Sequence, residues 1–168
     1  GGTRNISGNS SAIVELELEL ASLHQKEKAL VFTSGYVANE ATISTLLQIL
    51  DDAIVFSDEK NHASIISGIK KSKSHKEIFK HNNLEHLESL IKKYPYKRAK
   101  VIIFESVYSM DGDIGKIEGI VKIAKKYNAM TYIDEVHAVG MYGKNGAGIS
   151  EELGISDSVD IVQGTLGK

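Results

Sequence analysis

A lysine, an aspartate, a histidine and a threonine stand out as groups whose types and spacing could do chemistry together. Lys168 closes the run Gly164-Thr165-Leu166-Gly167-Lys168. An amine held among small residues suits condensation with an aldehyde, because the imine nitrogen is a weak base near neutral pH and the freed amine can later move a proton. Asp134 ends the apolar run Met130-Thr131-Tyr132-Ile133, and His137 follows three positions on. A carboxylate at that place can keep a ring nitrogen protonated by Coulomb attraction, and a hydroxyl such as that of Thr165 can hold a phosphate. A protonated ring accepts the electrons released when a bond to an α-carbon breaks. These parts point to a pyridoxal 5′-phosphate site.

Plainer readings weigh against each residue singly. Asp134 alone would be an ordinary loop cap, and the presence of His137 on the same turn is what favours chemistry. Asp134, Glu135 and His137 do not by themselves supply the three or four ligands of a zinc site, so no metal is expected. The run ending at Lys168 has the tail of a phosphate-binding P-loop, but Val162 stands where the first glycine of that motif is required. Gly143, Gly146 and Gly148 likewise do not spell a dinucleotide fingerprint. His24, His75, His81 and His86 fall on polar faces or edges and receive no role.

The elements that must position these groups alternate between strand and helix. The spacing predicts a helix over 13–25, where Ile13, Leu16, Leu20 and Leu23 share a face although 14–20 alternates like a strand. A short strand over 29–32 follows, then the small turn Thr33-Ser34-Gly35 and a helix over 36–50. A strand, a tight turn and a helix start present free N–H groups and a positive dipole end, which suits a phosphate. Strands are predicted over 53–56, 76–79, 100–105, 129–134 and 159–162, with helices over 61–73, 84–94 and 117–127. Asn82 and Glu85 read as the capping pair of the second of these helices. Residues 1–11, 106–115 and 140–148 read as loops.

Such alternation predicts an α/β fold with three αβα layers and a mostly parallel sheet. Ligands in these sheets sit outside the carboxyl ends of the strands, and Ser34, Ser109, Asp134 and His137 all fall there. The 168 residues suffice for one domain. A net charge of −2 with both signs interspersed gives no reason to expect nucleic acid or an anionic membrane as partner. The absence of cysteine excludes disulfides and thiolate metal sites. The chain starts without methionine and stops on the lysine read as reactive, so it is expected to be a central piece of a longer protein.

Five ordered motifs carry a resemblance. Gly-Gly-Thr-Arg-Asn-Ile-Ser-Gly (1–8), Asn-His-Ala-Ser (61–64), Ser-Met-Asp-Gly (109–112), Asp-Glu-Val-His-Ala-Val-Gly-Met-Tyr-Gly (134–143) and Gly-Thr-Leu-Gly-Lys (164–168) stand at the spacing of the α-oxoamine synthase family. That family belongs to the fold-type-I pyridoxal phosphate enzymes. The first motif, with Thr3 and Asn5, is most similar to the members that condense glycine with succinyl-CoA and decarboxylate the product to 5-aminolevulinate, the first step of tetrapyrrole and heme synthesis.

The resemblance implies roles position by position. Lys168 would form the imine with pyridoxal phosphate and remove a proton from glycine. Asp134 would pair with the ring nitrogen, and His137 would bond the ring's phenolic oxygen. His62 would stack on the ring face opposite the lysine. Ser34, Gly35, Tyr36 and Thr165 would hold the phosphate, and Ser109 would line the reacting centre. Thr3, Asn5 and Ile6 would contact the acyl group of succinyl-CoA from the neighbouring subunit of a homodimer.

It implies further that residues 1–168 are part of the cofactor-binding large domain, with an amino-terminal segment and a carboxy-terminal domain lacking. The fragment alone is therefore expected to be inactive. A bacterial cytoplasm is the expected location, or a mitochondrial matrix in a eukaryote. The alternatives are a sibling such as a glycine C-acetyltransferase and a non-catalytic family subunit.

Overall fold

The computed structural model describes residues 3–167. Its element order is α1 (Arg4–Ser7), α2 (Ser11–Leu23), α3 (Gly35–Ile49), β1 (Ile54–Asp58), α4 (Ala63–Ser72), β2 (His75–Phe79), α5 (Leu84–Ile91), β3 (Lys100–Glu105), α6 (Ile117–Tyr127), β4 (Met130–Asp134), α7 (Ile149–Glu152) and β5 (Ile161–Gln163), with a 3-10 turn at Ser156–Ser158 before β5. The five strands form one sheet in the order β2-β1-β3-β4-β5, every pairing parallel. The α/β expectation holds.

The period of two along each strand builds two cores. Ile54, Phe56, Ile102, Phe104 and Ile133 face α5 and α6, where they meet Leu87, Leu90, Ile120 and Ala124. Val55, Val101, Ile103 and Tyr132 face the other way onto Ile43 and Leu47 of α3 and Ile65 and Ile69 of α4. Strands buried on both faces read as continuous apolar runs, which is why β1 and β3 are buried at every position. α6 shows the helical counterpart: Ile117, Ile120, Val121 and Ala124 are buried along one stripe, and Asn128 ends it in the left-handed conformation at φ 52°.

The chain leaves β1 through α4 to reach β2, then returns past β1 through α5 to reach β3. The order therefore reverses between β1 and β3, and the chain leaves these two strands toward opposite faces of the sheet, into α4 on one and α6 on the other.

Several boundaries differ from the sequence reading. No strand forms over 29–32: the Val31 N–H donates to Glu17 Oε1 at 2.8 Å and its carbonyl accepts from Arg4 at 3.3 Å, so side chains take the backbone groups a ladder would use. Within the loop read over 1–11, α1 forms a short turn, its Arg4 paired with Glu17 at 2.7 Å. Asn83, not Asn82, caps α5, accepting from the His86 N–H at 2.8 Å. Asn82 instead sits at φ 52° with its side chain on Asp113. β5 starts two residues later than expected, because Asp160 binds the Thr131 N–H at 2.7 Å. Among the described residues no helix is long and apolar enough to cross a membrane.

Candidate active site

The alternation that sends Val101, Ile103 and Tyr132 toward α3 and α4 sends Glu105 and Asp134 the same way, and the two are register partners at the carboxyl ends of β3 and β4. Asp134 is only 5% exposed. Its Oδ2 accepts from Asn39 Nδ2 of α3 at 2.7 Å and its Oδ1 from the Val136 N–H at 2.9 Å. Asn39 also donates to Ser64 Oγ at 3.0 Å and accepts from the Tyr132 hydroxyl at 2.8 Å. Burial pushes the Asp134 carboxyl above its usual range, against the pull of Asn39, Val136 and the nearby His62 and His137. A cation placed before it would favour the anion.

His62 follows β1 and caps α4, its Nδ1 accepting from the Ser64 N–H at 3.2 Å. The ring is exposed, and the Tyr36 ring meets it edge-on at 6.3 Å and 78°. His137 is half-buried on the turn after β4. Ser109 lies exposed in the loop after β3, a tight turn closed by the Gly112 N–H on the Tyr108 carbonyl at 2.8 Å.

Ser34 caps α3, and its Oγ accepts from the Val37 N–H at 3.2 Å. Among the described residues the N–H groups of Gly35 and Tyr36 have no hydrogen-bond partner. Thr165 comes against this helix start: a Cβ on Gly35 would lie 2.6 Å from Thr165 Cγ2. Thr165 Oγ1 is buried and unpartnered among the described residues. Free amides, a positive helix end and an orphaned hydroxyl make a donor set that fits a phosphate. Asp134 and His62 fit the nitrogen and one face of a cationic ring, so the residues present suit pyridoxal phosphate. A cleft of about 1020 Å³ opens between α2, residues 25–35 and β5, and among the described site residues Ser34, Gly35 and Thr165 line it.

Asp134, His62, His137, Ser34, Gly35, Tyr36, Thr165 and Ser109 thus lie along one edge of the sheet, after the strands or at the start of α3. Thr3, Asn5 and Ile6 are exposed on α1 and its cap, and no hydrogen bond among the described residues joins them to Asp134. Lys168 lies outside the described residues.

Three features escaped the sequence reading. Asn39 carries no motif, and only its place on the buried face of α3, five residues past the Ser34 cap, could have signalled it. Glu105 ends its strand as Asp134 does, and the same period points it inward. His81, given no role from sequence, bridges Asp58 Oδ1 at 2.9 Å and Asp113 Oδ2 at 2.8 Å, with the Tyr108 ring edge-on at 4.4 Å. Burial lowers the affinity of His81 for its proton, but the bonds to Asp58 and Asp113 outweigh this and raise it overall.

A parallel sheet with an acid, two imidazoles and a phosphate cradle at its carboxyl edge defines a cofactor-binding α/β domain. The family model described as aminotransferase class I and II matches residues 1–168, and the chain belongs to that family. Within it, the chain is 59% identical over its whole length to 5-aminolevulinate synthase of Rickettsia bellii and 54% identical to 5-aminolevulinate synthase 1 of Cereibacter sphaeroides. It spans 41% of the length of each of these relatives. A serine palmitoyltransferase from S. paucimobilis, solved with PLP–myriocin bound, superposes with a TM-score of 0.91 at 36% identity, over 98% of this chain and 41% of that one.

Proposed function

We propose that the protein of which these residues form part of the cofactor-binding domain is a pyridoxal phosphate-dependent acyltransferase. It joins glycine to succinyl-CoA and releases CoA and carbon dioxide to give 5-aminolevulinate. The observation that carries this reading is the convergence of His62 and His137 on the buried Asp134, beside a helix start with free amides. The 59% identity to a named synthase supports this reaction over those of sibling enzymes.

When bound, the cofactor supplies a cationic ring that takes up the electron pair left on an amino acid's α-carbon. Asp134 would hold the proton on the ring nitrogen, and Asn39 keeps that carboxylate oriented. His62 would cover one face of the ring and exclude water from it, while His137 would bond the phenolic oxygen. Ser34, the amides of Gly35 and Tyr36, and Thr165 hold the phosphate. Lys168 would hold the cofactor's aldehyde carbon, and its Nζ, once freed as the glycine amine takes its place there, would accept the proton of the glycine α-carbon. Ser109 lines the reacting carbon, and Thr3, Asn5 and Ile6 contact the acyl group from the neighbouring subunit of a homodimer.

The test is the full-length protein supplied with glycine and either succinyl-CoA or acetyl-CoA. Aminolevulinate with stoichiometric CoA from the first donor supports the reading. Preference for acetyl-CoA would move the protein to a sibling activity, and no CoA release from either would refute it.

A further inference from the structure

Glu105 is a buried carboxylate, 2% exposed, that no step above uses. It sits beside Asp134 in register, at the carboxyl end of β3, where the strand order reverses. Its Oε1 accepts the His62 backbone N–H at 2.5 Å. The Ser109 backbone N–H favours its ionised form as well. These two amides belong to different loops, one after β1 and one after β3, and each loop carries a residue assigned above to the cofactor or the reacting centre.

We propose that Glu105 is a positioning residue whose ionised carboxylate accepts the His62 amide and attracts that of Ser109, tying the His62 and Ser109 loops to the sheet so that His62 meets the cofactor face and Ser109 the reacting carbon. The anion is the form that does this, because a carboxylate offers only acceptors to two donors, whereas a protonated carboxyl turns one oxygen into a donor. Burial, with Asp134 on β4 and Asp58 on β1 opposing its charge, raises the Glu105 carboxyl to about 7, against the pull of the two amides. The Tyr108 hydroxyl also feels the Glu105 charge and accepts from the Glu105 backbone N–H at 3.4 Å, and Asp58 is itself paired with His81. Because burial makes the Glu105 carboxyl a weaker acid, the latch is closed above pH 7 and opens as the pH falls through that value.

The proposal rests on the cofactor reading above, and its test separates the two. Glu105→Gln has the shape of the protonated acid, with one acceptor in place of two. In the full-length protein loaded with pyridoxal phosphate, the cofactor dissociation constant should rise about tenfold at pH 8, the loss of one good hydrogen bond. The ratio of variant to parent should approach one below pH 6. Amide exchange in 59–64 and 106–112 should quicken in the variant, and Glu105→Asp should keep part of the pH response. A ratio that stays flat with pH, or unchanged exchange, overturns the latch while leaving the cofactor site standing. Failure of the parent to bind the aldehyde overturns the site itself. Should the variant not fold, exchange of the same amides in the parent, corrected for intrinsic rates, decides: protection lost below pH 7 supports the latch and constant protection refutes it.

Discussion

Asn39→Ala is the substitution that most sharply weighs the buried network behind Asp134. Asn39 is 2% exposed and makes three bonds, to Asp134 Oδ2 at 2.7 Å, Ser64 Oγ at 3.0 Å and the Tyr132 hydroxyl at 2.8 Å. Ser64 Oγ keeps His62 Nδ1 at 2.7 Å as a second partner, so alanine strands two groups, one of them a carboxylate oxygen. Each stranded buried group costs about 1–3 kcal/mol, the charged one toward the upper end, so the expected loss is roughly 3–5 kcal/mol. Denaturant unfolding of the full-length protein without cofactor, followed by circular dichroism, measures it. Asn39→Asp keeps the shape but sets a second carboxylate against Asp134, and the pair must share a proton. The folded state then binds more protons than the unfolded chain, so this variant loses stability as the pH rises. Alanine costing under about 0.5 kcal/mol, within the range of an ordinary surface change, would refute the network as a support for Asp134.

Other perturbations follow from the same geometry. Gly35→Ala puts a methyl 2.6 Å from Thr165 Cγ2 and should weaken pyridoxal phosphate binding about tenfold, read by equilibrium titration, since the cradle must open by a sizeable fraction of an ångström. Gly68→Ala places a Cβ 2.9 Å from Ile43 Cβ and 3.1 Å from the Glu40 carbonyl between two packed helices, so unfolding should show a loss of about 1–3 kcal/mol with the m-value unchanged. His81→Ala removes an imidazole held between Asp58 and Asp113. The folded-state affinity of His81 for its proton is raised, so its contribution is fully present below the unfolded value near 6.5 and fades as the pH rises through the folded one. The gap in stability between parent and variant should therefore be larger at pH 5.5 than at pH 8.5.

How far the fold could be read in advance depended on whether local pattern and tertiary surroundings agreed. β3 and α6 came out with their expected limits because an apolar run buried on both faces and a helical stripe each admit one solution. Residues 29–32 look like a strand by composition, yet Arg4 and Glu17 hold the backbone of Val31 in an unpaired segment that no local pattern distinguishes. The cap of α5 moved by one residue because Asn82 was drawn to Asp113, a partner 31 positions away. Within the site, motif residues at strand ends were legible, since the sheet topology fixes where those ends meet. Asn39, Glu105 and His81 act through partners far along the chain, to Asp134, His62 and Asp113, and residue type alone says nothing of such meetings.

In the proposed site Asp134, His62 and the start of α3 hold a cationic ring whose aldehyde is attached to Lys168. Borohydride reduction of the full-length protein loaded with pyridoxal phosphate, followed by peptide mapping, tests it directly. A pyridoxyl group fixed on the peptide ending at or containing Lys168, and lost in Lys168→Ala, is the predicted result. A label on another lysine, or none in a protein that binds the cofactor, would contradict the account.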